Sequence, residues 1–267
     1  MTNPIAPWQG DLHHHPEQPQ MWYLLICTAQ GQIVQETIAP QTEINGAWLA
    51  AQLAQLSQPW PGVLQVFRPQ TLGLWQTATQ ALPLVIEPTR RTAALKLLLR
   101  QRWSDSAIQI PSPPPQPLPD DLWGKHWQLG SIVAQEIEIW RDRPLPICEI
   151  PEVNHPLHVG LSSEQTIPGV VINGDRRAMQ LARWLQAVQP VSIAYVPTEV
   201  GQSGGLVLAA GLDERWILAT FEDADMAAAA AQYQRHCQAA GGLHFLLVQP
   251  DESGMTYSGF WLLRAAD

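Results

Sequence analysis

Two stretches of this chain join a β-branched run to a helix-forming run across a turn that carries two arginines. The first is residues 84–99, LVIEPTRRTAALKLLL, and the second is residues 169–185, GVVINGDRRAMQLARWL. A strand that feeds directly into a helix is the building unit of α/β folds, and having it twice points the whole chain to that class. In each stretch a residue able to cap a helix, Thr89 or Asp175, stands just before the pair, Arg90 and Arg91 or Arg176 and Arg177. With the arginine pairs superimposed, Leu95 falls on Leu181 and Leu99 on Leu185. The repetition raises an old duplication, although the flanking elements do not align well.

The arginines are the unusual part. A helix N-terminus carries about half a positive charge and unpaired N–H groups, so cations there are unfavourable unless an anion joins them. A phosphate or a carboxylate would satisfy the N–H groups and the guanidinium forks together. The plainer alternative is that both pairs point into water or pair with Glu87 and Asp175 beside them. Elsewhere the chain is poor in cations, with a net charge of −9 and only two lysines, Lys96 and Lys125. Non-specific nucleic-acid binding rests on Lys and Arg displacing counterions, so any RNA or DNA site must be a local arginine patch on an acidic body.

Taken in order, residues 8–15, 21–28 and 33–39 read as strands, the last two joined by a turn at 29–32. Thr42-Glu43-Ile44-Asn45 opens a helix over 46–57, with Trp48, Leu49, Leu53 and Leu56 on one face. A strand at 62–67, a helix at 69–80, a strand at 82–87 and the arginine-led helix to Arg102 follow. This β-β-β-α-β-α-β-α order is analogous to a ribonuclease-H-like α/β fold, and architecture alone confers no activity. Residues 104–121 contain Pro111, Pro113, Pro114, Pro115, Pro117 and Pro119 and read as a stiff, extended linker. The expected organisation is therefore an N-terminal α/β domain (1–103), the Pro-rich linker (104–121) and a C-terminal α/β domain (122–267). In the second half, strands are expected at 129–134, 191–196, 205–210, 215–221, 243–249 and 258–263, and helices at 176–188 and 223–240.

Catalytic patterns are thin. There is no Walker loop, no Gly-x-Ser-x-Gly elbow and no HExxH helix, and Cys27, Cys148 and Cys237 form no zinc or redox spacing. His13-His14-His15 would point to alternate faces of a strand with no ligand partner at useful spacing. A ribonuclease-H-like nuclease needs several carboxylates at strand ends; Asp11 and Glu87 are candidates and Glu43 a distant third, an incomplete set. The expectation is a non-enzyme with no catalytic residue, no metal site and no cofactor. Of the twelve tryptophans, Trp48 and Trp184 are assigned to the core by helical phase. Trp8, Trp103, Trp123 and Trp127 lie near loops, where an exposed ring can stack a base, with packing as the default for each. No apolar run reaches the roughly eighteen residues of a membrane span. Residues 1–20 carry no secretory signal pattern, so a reducing cytoplasm is expected.

Taken together, many motifs carry a resemblance. They include Glu43-Ile44-Asn45 with Ala47-Trp48-Leu49, Val66-Phe67-Arg68, Thr89-Arg90-Arg91-Thr92, and Leu118-Pro119 with Leu122-Trp123-Gly124 and Trp127. Further along come Ile167-Pro168-Gly169-Val170-Val171, the run from Arg176-Arg177-Ala178-Met179 to Trp184-Leu185, Arg215-Trp216-Ile217-Leu218, Gly242-Leu243-His244-Phe245-Leu246 and Gly259-Phe260-Trp261-Leu262-Leu263. Over nearly its whole length the chain resembles the Tab/Atab family of RNA-binding translation factors for a photosystem I reaction-centre subunit. One departure is local: the family opens on Trp-x-x-Asp followed by aromatic and arginine residues, and here Leu12-His13-His14-His15 follows Trp8 and Asp11. Where that run contacts RNA, this chain has a weaker, pH-sensitive version.

The resemblance implies binding to single-stranded A/U-rich leader regions of photosystem messenger RNA, promoting translation and photosystem I, and by extension photosystem II, biogenesis. It implies photosystem assembly or translation factors as protein partners, no DNA partner and no direct membrane insertion. The setting it implies is the cytoplasm of a cyanobacterium, matching the chloroplast stroma of plant homologues. On that basis Arg90, Arg91, Arg176 and Arg177 would grip phosphates, while Arg68 and Arg183, with nearby tryptophans such as Trp123 and Trp127, would clamp or stack unpaired bases. A protein-interaction scaffold and a metal-dependent ribonuclease-H-like nuclease are the competing readings.

Overall fold

The computed structural model describes residues 6–56, 60–110 and 113–265. It divides into two compact units, Met1–Pro111 and Ser112–Asp267. Both are α/β, as the two strand-to-helix stretches require.

The first unit runs β1 (Trp8–His15), β2 (Gln18–Thr28), β3 (Ile33–Pro40), α1 (Gly46–Ala54), β4 (Val63–Val66), α2 (Leu72–Thr79), β5 (Val85–Pro88) and α3 (Ala93–Arg102). Its five strands form one sheet in the order β3-β2-β1-β4-β5, with β1, β4 and β5 mutually parallel and β2 antiparallel to both neighbours. α1 starts where Asn45, extended at φ −156°, accepts the Trp48 N–H through Oδ1 at 2.9 Å. A 3-10 turn at Pro69–Thr71 replaces the expected first turn of the next helix. Ser57, the expected end of the first helix, lies outside the described residues.

Strand alternation divides β1 between two environments. Trp8 and Leu12 face a core shared with Leu24, Ile26, Leu49, Leu53 and Trp75. Gln9, Asp11, His13 and His15 face the other way and are buried too. That second face lies under α3, where Gln9 Oε1 accepts the backbone N–H of Leu95 at 2.9 Å. The inner face of this strand is thus polar by design of the sequence, and its groups must find partners within the protein.

The second unit contains β6 (Gln116–Pro117), β7 (His126–Val133), α4 (Glu136–Asp142), β8 (Ile147–Glu149), β9 (Thr166–Asn173), α5 (Ala178–Val188), β10 (Pro190–Glu199), β11 (Ser203–Ala210), β12 (Glu214–Phe221), α6 (Ala224–Ala239), β13 (Leu243–Gln249) and β14 (Gly259–Arg264). They make two sheets, β10-β11-β12-β6 and β7-β9-β13-β14-β8. β13 is buried at every position, because its residues serve two cores alternately: Leu246 and Val248 face one, Leu243, Phe245 and Leu247 the other. The first of these cores holds Leu181 and Leu185 of α5; the second holds Ile137 and Trp140 of α4. α4 and the short strands β6 and β8 have no counterpart in the sequence expectation.

The Pro-rich stretch is anchored at a few points, while Pro113, Pro114, Pro117 and Pro119 are exposed. Ala107, in a 3-10 turn, is buried and its carbonyl accepts from Arg68 in the first unit. Gln116 and Pro117 pair with β12, and Leu118 and Leu122 are buried in the core of the second unit. Pro111 lies outside the described residues. The two strand–Arg-Arg–helix modules occupy unlike places: β5 is an edge strand in its sheet, whereas β9 lies inside its own. Topology therefore gives the duplication no support.

Candidate nucleic-acid interface

In the second unit the arginine pair stands ahead of the α-helix, not within it. Asp175–Arg177 form a 3-10 turn, and α5 begins at Ala178. Asp175 is not an N-cap; it adopts φ +49°, a left-handed conformation unusual for a residue with a Cβ. The turn is pinned to the end of β13 by Gly174 N–H to Gln249 O at 2.8 Å and Asp175 N–H to Pro250 O at 3.0 Å. Gly174 has to be glycine because α5 starts hard against it: a Cβ there would lie 2.5 Å from the Ala178 Cα. Arg176 and Arg177 are exposed on this anchored turn.

Beside them lies a mainly apolar slot of about 140 Å³, whose walls include Trp123, Trp127, Leu181 and Leu218. The arginine turn and α5 together hold the segment that supplies the tryptophans. Arg177 Nη1 donates to the Asp120 carbonyl at 3.4 Å, and Gln180 Nε2 donates to Asp121 Oδ2 at 2.7 Å. Leu181, one residue further on, lines the slot itself. Arg177 thus meets a neutral carbonyl of the segment that leads to the two indoles. A flat ring in the slot and a phosphate at the arginine turn would suit unpaired RNA. Arg183 is not brought to this place: it is exposed, two residues and so about 200° around the helix from Leu181. Trp184 next to it is half-buried and packs edge-on against Trp216, ring centroids 5.2 Å apart.

The first unit treats its arginines differently. Arg90 and Arg91 are half-buried and precede Thr92, which is the N-cap position of α3 although its side chain makes no cap bond. Thr89 is not the cap; its hydroxyl accepts the Arg91 backbone N–H at 3.1 Å. The Lys96 ammonium, itself buried, donates to the Arg90 carbonyl at 2.7 Å. Burial, with Arg90 and Arg100 nearby, depresses the lysine from 10.5 to about 8.

Arg68 is held inward. Its Nε donates to Asp11 Oδ1 at 2.7 Å, and Asp11 has no exposed side-chain surface. Burial alone would raise the Asp11 carboxyl, but Arg68 and His13 more than offset it and hold the group below the usual carboxylate range. Glu87 accepts from Gln65 at 3.0 Å. Among the described residues, no group of three or more His, Cys, Asp or Glu could hold a metal ion. His13 and His15 turn inward against Trp103, each with ring centroids 5.4 Å away, while His14 turns outward against Trp22 at 4.4 Å. Trp8 is buried in the core and Trp103 is enclosed by His13, His15 and Tyr23, so neither is a free stacking surface.

Sequence reasoning did not find Gly124, His126 and Thr220 as lining residues of the slot, nor Gln180 as its brace. Only the clustering of Trp123, Gly124 and Trp127 in the sequence hinted at it.

Comparison with known proteins gives one consistent answer. A family model for the RNA-binding protein Tab2/Atab2 N terminal matches residues 7–102, and one for the RNA-binding protein Tab2/Atab2, C-terminal domain, matches residues 105–264. The chain is 26% identical over 286 residues to a chloroplastic protein TAB2 homolog of Arabidopsis thaliana, covering 97% of this chain and 74% of that one. It is likewise 26% identical over 294 residues to a chloroplastic TAB2 homolog of Zea mays, covering 97% and 71%. No solved structure matches it.

Proposed function

Because the chain belongs to the Tab2/Atab2 family of RNA-binding proteins, we propose that it binds single-stranded A/U-rich leader regions of photosystem messenger RNA and promotes their translation. Photosystem I biogenesis, with photosystem II as a further target, is the process served. The setting is a cyanobacterial cytoplasm, equivalent to the stroma for the chloroplastic relatives, and no helix among the described residues is long and apolar enough to cross a membrane. Residues 1–103 and 122–267 act as the two domains, and the protein works as a binder without a chemical step.

The observation that carries this reading is that Arg177 bonds the Asp120 carbonyl, three residues before Trp123, while Leu181, one helical turn beyond Arg177, lines the Trp123–Trp127 slot. An acidic body with so few cations holds RNA at chosen points rather than by bulk attraction. Unpaired bases suit it because they need no strand separation before they stack.

The test is binding of the purified chain to an A/U-rich leader and to a scrambled RNA across a salt series. The wild type is expected to prefer the leader. Arg176→Ala with Arg177→Ala should weaken binding to every sequence and flatten the plot of log K against log salt by about 1.4, at roughly 0.7 per phosphate on single strands. Unchanged affinity and slope in the double variant remove this arginine pair from the mechanism. Equal, weak binding to both RNAs shifts the weight to a protein-interaction scaffold.

A further inference from the structure

The first unit contains a cleft of about 300 Å³ that the arginine pairs do not line. Leu12, His13, Thr71 and Ala107 make its buried floor, His14, Pro16 and Gln70 its exposed rim, and Trp22 and Arg68 stand between. Its size is at the low end for pockets that take small organic ligands.

The wall of the cleft is unusual in its polar groups. Thr71 Oγ1, Trp22 Nε1 and His13 Nε2 are all buried and have no hydrogen-bond partner in the protein. Thr71 and His13 are 2% and 8% exposed. His13 Nδ1 lies 2.9 Å from Asp11 Oδ2, an ion-pair distance off the hydrogen-bond axis, which leaves Nε2 on the other side of the ring. Buried polar groups are nearly always paired, so three closed-off orphans on residues that line one cleft mark a place where a side chain, by turning toward the opening, gains a partner from a ligand.

The chemistry of that ligand follows from the rest of the wall. Arg68 does not make an anion site, because Asp11 at 2.7 Å already neutralises it. What remains is an aromatic surface from Trp22 and His14, an apolar floor, a hydroxyl and an indole N–H. That combination accepts a flat, neutral, hydrogen-bonding ring. We propose that the cleft is a nucleobase site, taking one unpaired base of single-stranded RNA against Trp22 and His14 with its polar edge toward Thr71. The Thr71 hydroxyl turns about χ1 to meet the base. The proposal rests on the RNA-binding reading above and adds a second contact point, of a kind that reads base chemistry and not charge.

The experiment uses the full chain, a single-stranded A/U-rich RNA, and the same RNA with single abasic substitutions and with 4-thiouridine for photocrosslinking. The variants are Thr71→Val, Trp22→Phe and Gln70→Ala, the last on the exposed rim where folding is undisturbed. Each is expected to weaken binding, Thr71→Val by roughly tenfold, with the salt slope unchanged because no phosphate contact is lost. An abasic substitution at the position that fills the cleft should erase the difference between Thr71→Val and wild type. Crosslinks should map to residues 12–22 or 68–71. If the wild type binds RNA while all three variants match it and no crosslink falls there, the nucleobase site is overturned and the family reading stands. If the wild type binds no RNA at any salt, both fall.

Discussion

His244 should be the acid-sensitive point of the second unit. Its ring is fully buried on β13, Nδ1–H donates to the Gly242 carbonyl at 2.9 Å, and Nε2 accepts the Ile193 N–H of β10 at 2.8 Å. Those two bonds assign the neutral ring with its proton on Nδ1. A second proton at Nε2 would face the Ile193 N–H, donor against donor, and would charge a group that no water reaches. Burial accordingly depresses the imidazole from 6.5 to about 4, only partly opposed by the Gly242 bond. The unfolded chain therefore binds more protons than the folded one between pH 6.5 and 4. The stabilisation is complete above 6.5 and is lost as pH falls to about 4. A gap of about 2.5 pH units at about 1.36 kcal/mol each is about 3 kcal/mol.

The measurement has two parts. Long-range proton–nitrogen spectra of imidazole-labelled protein should show His244 as the neutral Nδ1–H form at pH 5 with the fold intact. Urea unfolding followed by a probe in the second unit should show wild type losing about 3 kcal/mol more than His244→Gln between pH 7 and pH 4. Titration of the folded-state ring near 6.5, or parallel stability curves for the two proteins, would refute the reasoning.

Lys96 should act in the alkaline range with the same sign logic. Its folded-state value of about 8 lies below its ordinary 10.5, so stability rises between those limits and the penalty is complete below 8. Lys96→Met should abolish that rise in denaturation experiments, and an unchanged pH profile would show that the ammonium is not desolvated. Gly169→Ala on β9 would place a Cβ 2.3 Å from the Phe245 ring of the adjacent strand. It should lower stability by about 1–3 kcal/mol, with Phe245→Leu restoring part of the loss in the double variant; additive effects would deny the contact.

The order of elements in the first unit is readable in the sequence because each obeys a local rule: strands alternate, helices repeat at 3.6, and Asn45 caps a helix with a bond three residues away. What failed depended on partners far along the chain. Thr89 and Asp175 look like caps, yet the Leu95 N–H near the start of α3 is satisfied by Gln9, and Asp175 is bound through its own N–H to Pro250. The pairing of Arg68 with Asp11 was likewise out of reach of any local rule, because the two lie 57 residues apart. The short strands β6 and β8 sit between prolines, where too few residues remain for any period to show, and α4, at seven residues, completes fewer than two turns. The tryptophans were visible as a cluster, but which of them border a slot and which fill a core is a matter of packing, decided by Leu181, Leu218 and Phe221.

The bond from Leu95 to Gln9 also bears on how the chain assembles during synthesis. The start of α3 has no side-chain cap of its own, so the Leu95 N–H in its first turn depends on a partner far away in the chain. That turn is completed only by docking on β1, which precedes it in the chain. That strand's polar face thus waits through some eighty further residues of synthesis before it is covered. In a nascent chain those side chains remain hydrated until then, which protects an unfinished sheet from sticking to its neighbours.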